Sequence, residues 1–337
     1  MVVVYGIGIL LLLISIIPLY LYLIEYKPES EEDARKYRNN RKKDVENTLS
    51  ITTLNVGFCG RDRTQEFYTD GGHTAGARTR EERFDNLISI TSILKDIDSD
   101  IFCLQEIDSH GTRTSDINQI EHMASELNSH NIFFAYNYVA KWVQLPLMHP
   151  MGNVNSGLAL LSKYKIDDSK RIQLQTEVKL TRRLLHPKEA MLVNRIKGLS
   201  HDLIIINVHL MPYTQNDHLR RQQLQSILDY ADEIYDSLKN YVIIAGDFYY
   251  DLNSDTDSDG NDFNTAIIPE GFSLHYDETR PSKRSMTQPY IRGVSEEFTT
   301  DGFIVSKNLY NVTIKTHDYE FKHSNHQPVT LYCKVKK

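Results

Sequence analysis

Tyr241-Val242-Ile243-Ile244-Ala245-Gly246-Asp247-Phe248-Tyr249 is an apolar run that stops at a glycine and a carboxylate. A short β-branched run without polar alternation fits a strand buried on both faces. Gly246 is expected to let the backbone turn, so that Asp247 stands at the strand's end, where α/β proteins place their chemistry. A Gly-Asp after a strand is also an ordinary turn, so the role of Asp247 depends on what the rest of the chain brings to it.

Further apolar, strand-like runs lie outward from this one, at 51–56, 101–104, 157–162, 203–208, 302–305 and 329–335. They alternate with helical patterns. Residues 81–97 set Phe84, Leu87, Ile88, Ser92 and Leu94 on one side, and 219–238 do the same with Leu224, Ile227, Leu228, Ala231, Ile234 and Tyr235. No internal repeat is evident. With 337 residues the chain is long enough for one large domain and an appendage, and its apolar and charged fractions are those of a folded protein. A net charge of −7 argues against a broad basic surface that holds nucleic acid by counterion release, although a local cleft can still be basic. Cys59, Cys103 and Cys333 sit in or beside apolar runs and read as small core residues.

Residues 2–24 are apolar apart from Ser15 and the tyrosines, with Tyr5 near one end and Tyr20 and Tyr22 near the other as interfacial anchors. A single transmembrane helix is expected. A cleavable signal peptide would want a basic leading region, a shorter apolar run and an Ala-x-Ala site, and none is present. Residues 25–48 follow as a charged tether with Pro28, able to form a solvated helix but no core, and the folded domain is expected over 49–337. Counting positive charges on the flank alone favours a cytoplasmic domain.

Several runs end in a polar residue able to act on a phosphate or a metal: Leu54-Asn55, Gln105-Glu106, Val208-His209, Gly246-Asp247, Thr300-Asp301 and, before the last strand, His323-Ser324-Asn325-His326. Singly, each has a bland reading as a turn residue, a helix-capping acid or a satisfied histidine. Their order resembles the endonuclease/exonuclease/phosphatase superfamily, on Thr53-Leu54-Asn55, Leu104-Gln105-Glu106, Asn155-Ser156-Gly157, Asn207-Val208-His209-Leu210, Gly246-Asp247-Phe248, Asp301-Gly302-Phe303 and Ser324-Asn325-His326-Gln327-Pro328. The resemblance covers 49 to the C-terminus. It implies a deoxyribonuclease-I-like α/β fold, a four-layer sandwich of two packed mixed β-sheets flanked by helices. Tyr26-Lys27-Pro28-Glu29, Thr69-Asp70-Gly71-Gly72 and Asp301-Gly302-Phe303 look more narrowly like membrane-anchored bacterial members, which implies a domain displayed outside the cytoplasm.

The implied activity is divalent-metal-dependent phosphoester hydrolysis, most simply of a phosphodiester in nucleic acid or a phospholipid head group, by a monomer. The alternatives are a phosphomonoesterase of sugar or inositol phosphates and a non-catalytic module that binds a phosphorylated ligand. Mg²⁺ or Mn²⁺ would neutralise the phosphoryl oxygens and the leaving oxygen, held by Glu106, Asn55 and the position of Asn325. Asp247 would orient or deprotonate water, and His326 would contact the phosphoryl group with Asp301 fixing its tautomer and raising its pKa. His209 would donate to phosphate or leaving group, with Asn155 and Tyr249 contacting substrate. Two positions depart from the family pattern: Tyr249 stands where Gly-Asp-Phe is followed by Asn, and Asn325 where Ser-Asp-His has a carboxylate. The second removes a negative charge from beside the cation and should weaken metal binding.

Other segments offer ligands or contacts. Asp255, Asp257 and Asp259 have the spacing of a Ca²⁺ loop, but Ala266 takes the place of its bidentate Glu, and a solvated acidic loop is the plainer reading. His73, Arg78 and Arg80, Arg182 and Arg183, or Arg280 and Arg292 could line the cleft, although arginines are more often solvated. Trp142 with Leu145, Leu147 and Met148 makes an apolar loop that would either touch lipid or pack beneath itself.

Overall fold

The computed structural model describes residues 5, 15–16, 19–20, 22–77, 79–176, 186–197, 200–210, 217–254 and 268–335. Along the chain the strands are β1 (Glu31–Asp33), β2 (Arg35–Arg38), β3 (Thr48–Asn55), β4 (Ile101–Asp108), β5 (Asn131–Val143), β6 (Gly152–Ser162), β7 (Asp168–Gln173), β8 (Ala190–Ile196), β9 (Asp202–His209), β10 (Asn240–Asp247), β11 (Phe272–His275), β12 (Lys283–Arg284), β13 (Glu297–Phe298), β14 (Asp301–Ser306), β15 (Tyr310–Thr316) and β16 (Val329–Lys334). Two seven-stranded mixed sheets have the orders β1-β7-β8-β9-β10-β14-β11 and β15-β16-β3-β4-β6-β5-β2, and β12 and β13 form a small ribbon.

All of β10 is buried, as its unbroken apolar run requires. It runs parallel to β9, with Asp247 opposite His209. Parallel neighbours need a crossover, supplied here by α3 (Asp217–Ile234; α1 and α2 are Arg80–Ile97 and Gln119–Glu126). Leu224, Ile227, Leu228 and Ala231 of α3 pack on Ile206, Val242 and Ile244. The second parallel pair, β3 and β4, is joined through α1, whose start is fixed by a Thr79/Glu82 capping box. Leu87, Ile90 and Leu94 of α1 join Leu54, Phe102 and Leu104 on the outer face of the second sheet. Phe84 and Ile88, expected on the buried side, are exposed, because the stripe at 87, 90, 91 and 94 faces the sheet. Helices thus cover both outer faces.

Between the sheets, Ile51, Cys103, Leu158 and Leu331 of one meet Leu192, Ile205, Ile243 and Phe303 of the other. A buried polar link crosses this core beneath the strand ends: Gln105 Nε2 donates to Asn207 Oδ1 (2.8 Å), and Asn207 Nδ2 donates to the carbonyls of Leu104 (3.0 Å) and Ala159 (2.9 Å). These three bonds span the core and pin the two sheets in one register, although Gln105 Oε1 has no partner. Cys59, Cys103 and Cys333 are free and buried, in keeping with a core role.

Within 25–48, the span expected as a tether, β1 pairs with β7 and β2 with β5, closing one edge of each sheet. Backbone pairing needs no apolar side chain, and a charged edge strand shields the sheet from further pairing, so the charged composition does not exclude strand. Most of 2–24 lies outside the described residues, and no helix among the described residues is long and apolar enough to cross a membrane. Arg78, Arg182, Arg183 and the Asp255, Asp257, Asp259 loop also lie outside them.

Candidate active site

The ends of β3, β4, β9 and β10, the start of β14 and the turn before β16 meet at one end of the sandwich, bringing Asn55, Glu106, His209, Asp247, Asp301 and His326 together. Local backbone features aim them. Pairing of β4 with β6 slips between Leu104 and Ile107, and Glu106 takes φ 51° at that bulge. Bulges at strand ends commonly re-aim a functional side chain. Gly246 does not turn the chain; it lies within β10 between Val208 and Gly302 of its neighbours. Its need is space, because a Cβ there would lie 1.9 Å from the Val208 carbonyl oxygen. Tyr249, two residues on, has φ 55°, a left-handed conformation that aromatic residues seldom adopt.

Asn55 is the hub. Its Nδ2 donates to Glu106 Oε1 (3.1 Å) and Asp247 Oδ2 (3.2 Å) and lies 3.3 Å from His209 Nε2. Its Oδ1 accepts from the Gly57 amide at 3.0 Å, which fixes the orientation of the side-chain amide. Glu106 Oε1 also accepts from Arg61 Nη1 at 3.0 Å and lies 3.5 Å from His209 Nε2. Burial by itself would raise the Glu106 carboxyl, but the Arg61 guanidinium and His209 outweigh it and hold it well below the usual carboxylate range. Burial would likewise lower His209, yet its bond to Glu106 and the nearby Glu189 and Asp247 raise it above 6.5.

On the other side, His326 Nδ1 bonds Asp301 Oδ2 at 2.8 Å, and Nε2 lies 3.5 Å from Asp247 Oδ2. The dyad is fully enclosed: burial pushes His326 down to about 3 and Asp301 up to about 7. The expected rise in His326 does not occur, since desolvation of the imidazolium outweighs the attraction of Asp247. Ser324 Oγ, bonded to the Asn55 carbonyl at 2.8 Å, ties this turn to β3.

Asn325 and Asn155 differ from their expected roles. Asn325 is wholly buried and neither amide atom has a partner. Asn155 Nδ2 donates to His110 O and Asn153 Oδ1, both at 2.9 Å, on the rim of β6. Tyr249 packs edge-on to His209 (5.4 Å between centroids) under the Lys283 ammonium, 3.8 Å from its ring. Of the candidate cleft arginines, Arg280 and Arg292 both pair with Asp318, and Arg80 and His73 are exposed. Trp142, Leu145, Leu147 and Met148 are exposed as well. Arg61 is the residue that sequence reasoning missed. Its one sequence signal is position, immediately after the Gly57-Phe58-Cys59-Gly60 turn that follows Asn55 and Val56.

A hard divalent cation wants free oxygen ligands. Asn55 presents its NH₂ to Glu106 and Asp247, and Glu106 Oε1 already accepts from both Arg61 and Asn55. As arranged, Asn55 and Glu106 Oε1 offer no free oxygen to such an ion, and Asn325 Oδ1 is left without a partner. Asp247, Asp301 and His326 offer ligand atoms within 4.8 Å of one another. Their Nδ1–Oδ2 bond is that of a carboxylate positioning an imidazole.

Comparison with known proteins adds to this geometry. Residues 52–301 match the model of the Endonuclease/Exonuclease/phosphatase family. An endonuclease/exonuclease/phosphatase from Beutenbergia cavernae DSM 12333 is similar in fold, with 15% identity, 86% of this chain and 72% of that chain covered, and a TM-score of 0.63. So is D. rerio TDP2 complexed with single strand DNA product, with 14% identity, 86% and 100% covered, and a TM-score of 0.58. The endonuclease/exonuclease/phosphatase from Bacteroides vulgatus shows 14% identity, the same coverages and a TM-score of 0.55. No curated protein matches the sequence.

Proposed function

The chain belongs to the endonuclease/exonuclease/phosphatase family, and from that premise we propose that it hydrolyses phosphate esters, specifically phosphodiesters such as those of nucleic acid or phospholipid head groups. The observation that carries the reading is a pair of imidazoles set on either side of one carboxylate and shifted in opposite directions by their surroundings. His209, raised by its acidic neighbours, lies 4.0 Å from Asp247 Oδ2, and His326, lowered by burial, lies 3.5 Å from the same oxygen. Environments that push two titratable groups apart in this way assign an acid and a base.

In this reading, His326 is neutral and donates Nδ1–H to Asp301, so that Nε2 and Asp247 Oδ2, 3.5 Å apart, are both acceptors. Water attacks phosphorus and gives its proton to this pair. The ester P–O bond breaks, and the leaving oxygen takes the proton that His209 holds against Glu106. Members of the family generally use Mg²⁺ or Mn²⁺ to neutralise the phosphoryl oxygens; no step here is routed through such an ion, because Glu106 Oε1 is already engaged by Asn55 and Arg61.

Turnover of bis-p-nitrophenyl phosphate tests the reading. His209→Gln, Asp247→Asn and His326→Gln should each lower kcat by about 10²- to 10⁴-fold, the range for a positioned acid or base. Activity should also fall as pH rises through the raised pKa of His209. Release of inorganic phosphate from a simple phosphodiester by the pure protein would instead point to monoesterase action following the first cleavage. Full activity in all three variants would defeat the proposal.

A further inference from the structure

We propose that the Arg61 guanidinium stands where a divalent cation would otherwise sit on Glu106, so that this site binds a phosphate group without metal. The inference rests on the phosphoester reading above and names what supplies its positive charge. Arg61 is only 6% exposed, so it is no solvated surface group. Its guanidinium carbon lies 4.0 Å from the Phe67 ring and 5.1 Å from Phe58, and its Nη1 is bonded to Glu106. An aromatic enclosure of this kind fixes a guanidinium in place.

The groups around it have the polarity an anion needs. Guanidinium has five N–H donors, and Glu106 takes one on Nη1, while the buried Nε has no partner. Asn325 brings another buried donor, Nδ2, also without a partner. The two side chains are neighbours across Gly57, where a Cβ would meet Asn325 Oδ1 at 2.9 Å and Arg61 Cβ at 3.1 Å. Buried donors without partners are rare in folded proteins, and Arg61 Nε and Asn325 Nδ2, on neighbouring side chains, leave two for an acceptor such as a phosphoryl oxygen, although Asn325 Oδ1 is unpartnered as well.

Charge leads to the same place. Position 325 is neutral where the family pattern has a carboxylate, and Glu106 is balanced by Arg61. The neutral side chain at 325 and the Arg61 guanidinium on Glu106 together leave the site with positive charge where a divalent ion would supply it. A cation arriving at Glu106 Oε1 would have to displace Arg61 and leave a buried guanidinium unpaired, a costly exchange. A phosphate arriving there meets a charge already in position, with nothing to displace.

Calorimetric titration of inorganic phosphate into the full chain, once in EDTA and once in Mg²⁺, tests this. Equal affinity in the two buffers is expected, and Arg61→Met should weaken binding by about 10- to 100-fold, the worth of a charge-assisted contact. Arg61→Lys, which keeps the charge, should retain part of the affinity and so separates loss of charge from loss of fold. Mn²⁺ binding followed by electron paramagnetic resonance should be absent from the parent and appear in the Arg61→Met/Asn325→Asp double variant. Phosphate that binds only with Mg²⁺ overturns the guanidinium inference and leaves the phosphoester reading standing. No phosphate binding in either buffer overturns both.

Discussion

Gly246→Ala is the substitution whose effect follows most directly from the geometry. The added Cβ would lie 1.9 Å from the Val208 carbonyl oxygen and 2.8 Å from its carbon, both backbone atoms of the adjacent parallel strand, with no flexible side chain to give way. A carbon and a carbonyl oxygen rest at about 3.3 Å, so β9 and β10 must part by more than about 1 Å locally. That lengthens the ladder bonds on either side, each worth about 1 kcal/mol, and adds an overpacking cost of about 1–3 kcal/mol. A loss of about 3–5 kcal/mol of stability is expected, which urea denaturation reads as a lower midpoint. The site should suffer as well, because His209 and Asp247 are the next residues on the two strands and lie opposite each other. A displacement of about 1 Å there should cost about 10²-fold in turnover in whatever fraction stays folded. Gly293→Ala is the control: it has φ +76° and nothing within 4 Å, so it carries backbone strain without the clash and should lose only about 1 kcal/mol. An unchanged midpoint for Gly246→Ala, or equal losses for the two variants, would refute the close-approach argument.

Further outcomes follow from buried groups near the site. Glu189, which burial pushes from 4.5 up to about 7, binds its proton more tightly folded than unfolded, so stability should fall as pH rises from 4.5 to 7 by about 3 kcal/mol, and Glu189→Gln should flatten that slope in denaturation at several pH values. Arg113 holds Asp108 through two buried bonds of 2.8 and 2.7 Å, and Arg113→Met should destabilise by about 3–5 kcal/mol, with much of the loss recovered when Asp108→Leu is added. Asn207→Leu removes the cross-sheet link and leaves Gln105 Nε2 only Thr53 Oγ1 and the Cys103 carbonyl, so a loss of about 1–3 kcal/mol is expected by the same measurement.

The strands that carry the chemistry are legible from residue pattern. Runs such as 241–245 and 203–208 have no polar alternation and can only be buried on both faces, and the polar residues that end them fall in the family's order. Asn55, Glu106, His209, Asp247, Asp301 and His326 were legible for that reason. Edge strands were not: β1 and β2 are held by backbone pairing, which leaves no mark on side-chain composition. The buried face of α1 escaped too, since periodicity names a stripe but not the rotation that turns Phe84 and Ile88 to solvent. What only the tertiary structure decided is the electrostatic character of the site. Arg61 and Glu106 are 45 residues apart and the dyad partners 25, and it is their packing into one low-dielectric pocket that balances Glu106, raises the pKa of His209 and lowers that of His326. Residue type sets which groups can ionise, but distance and burial set which of them do.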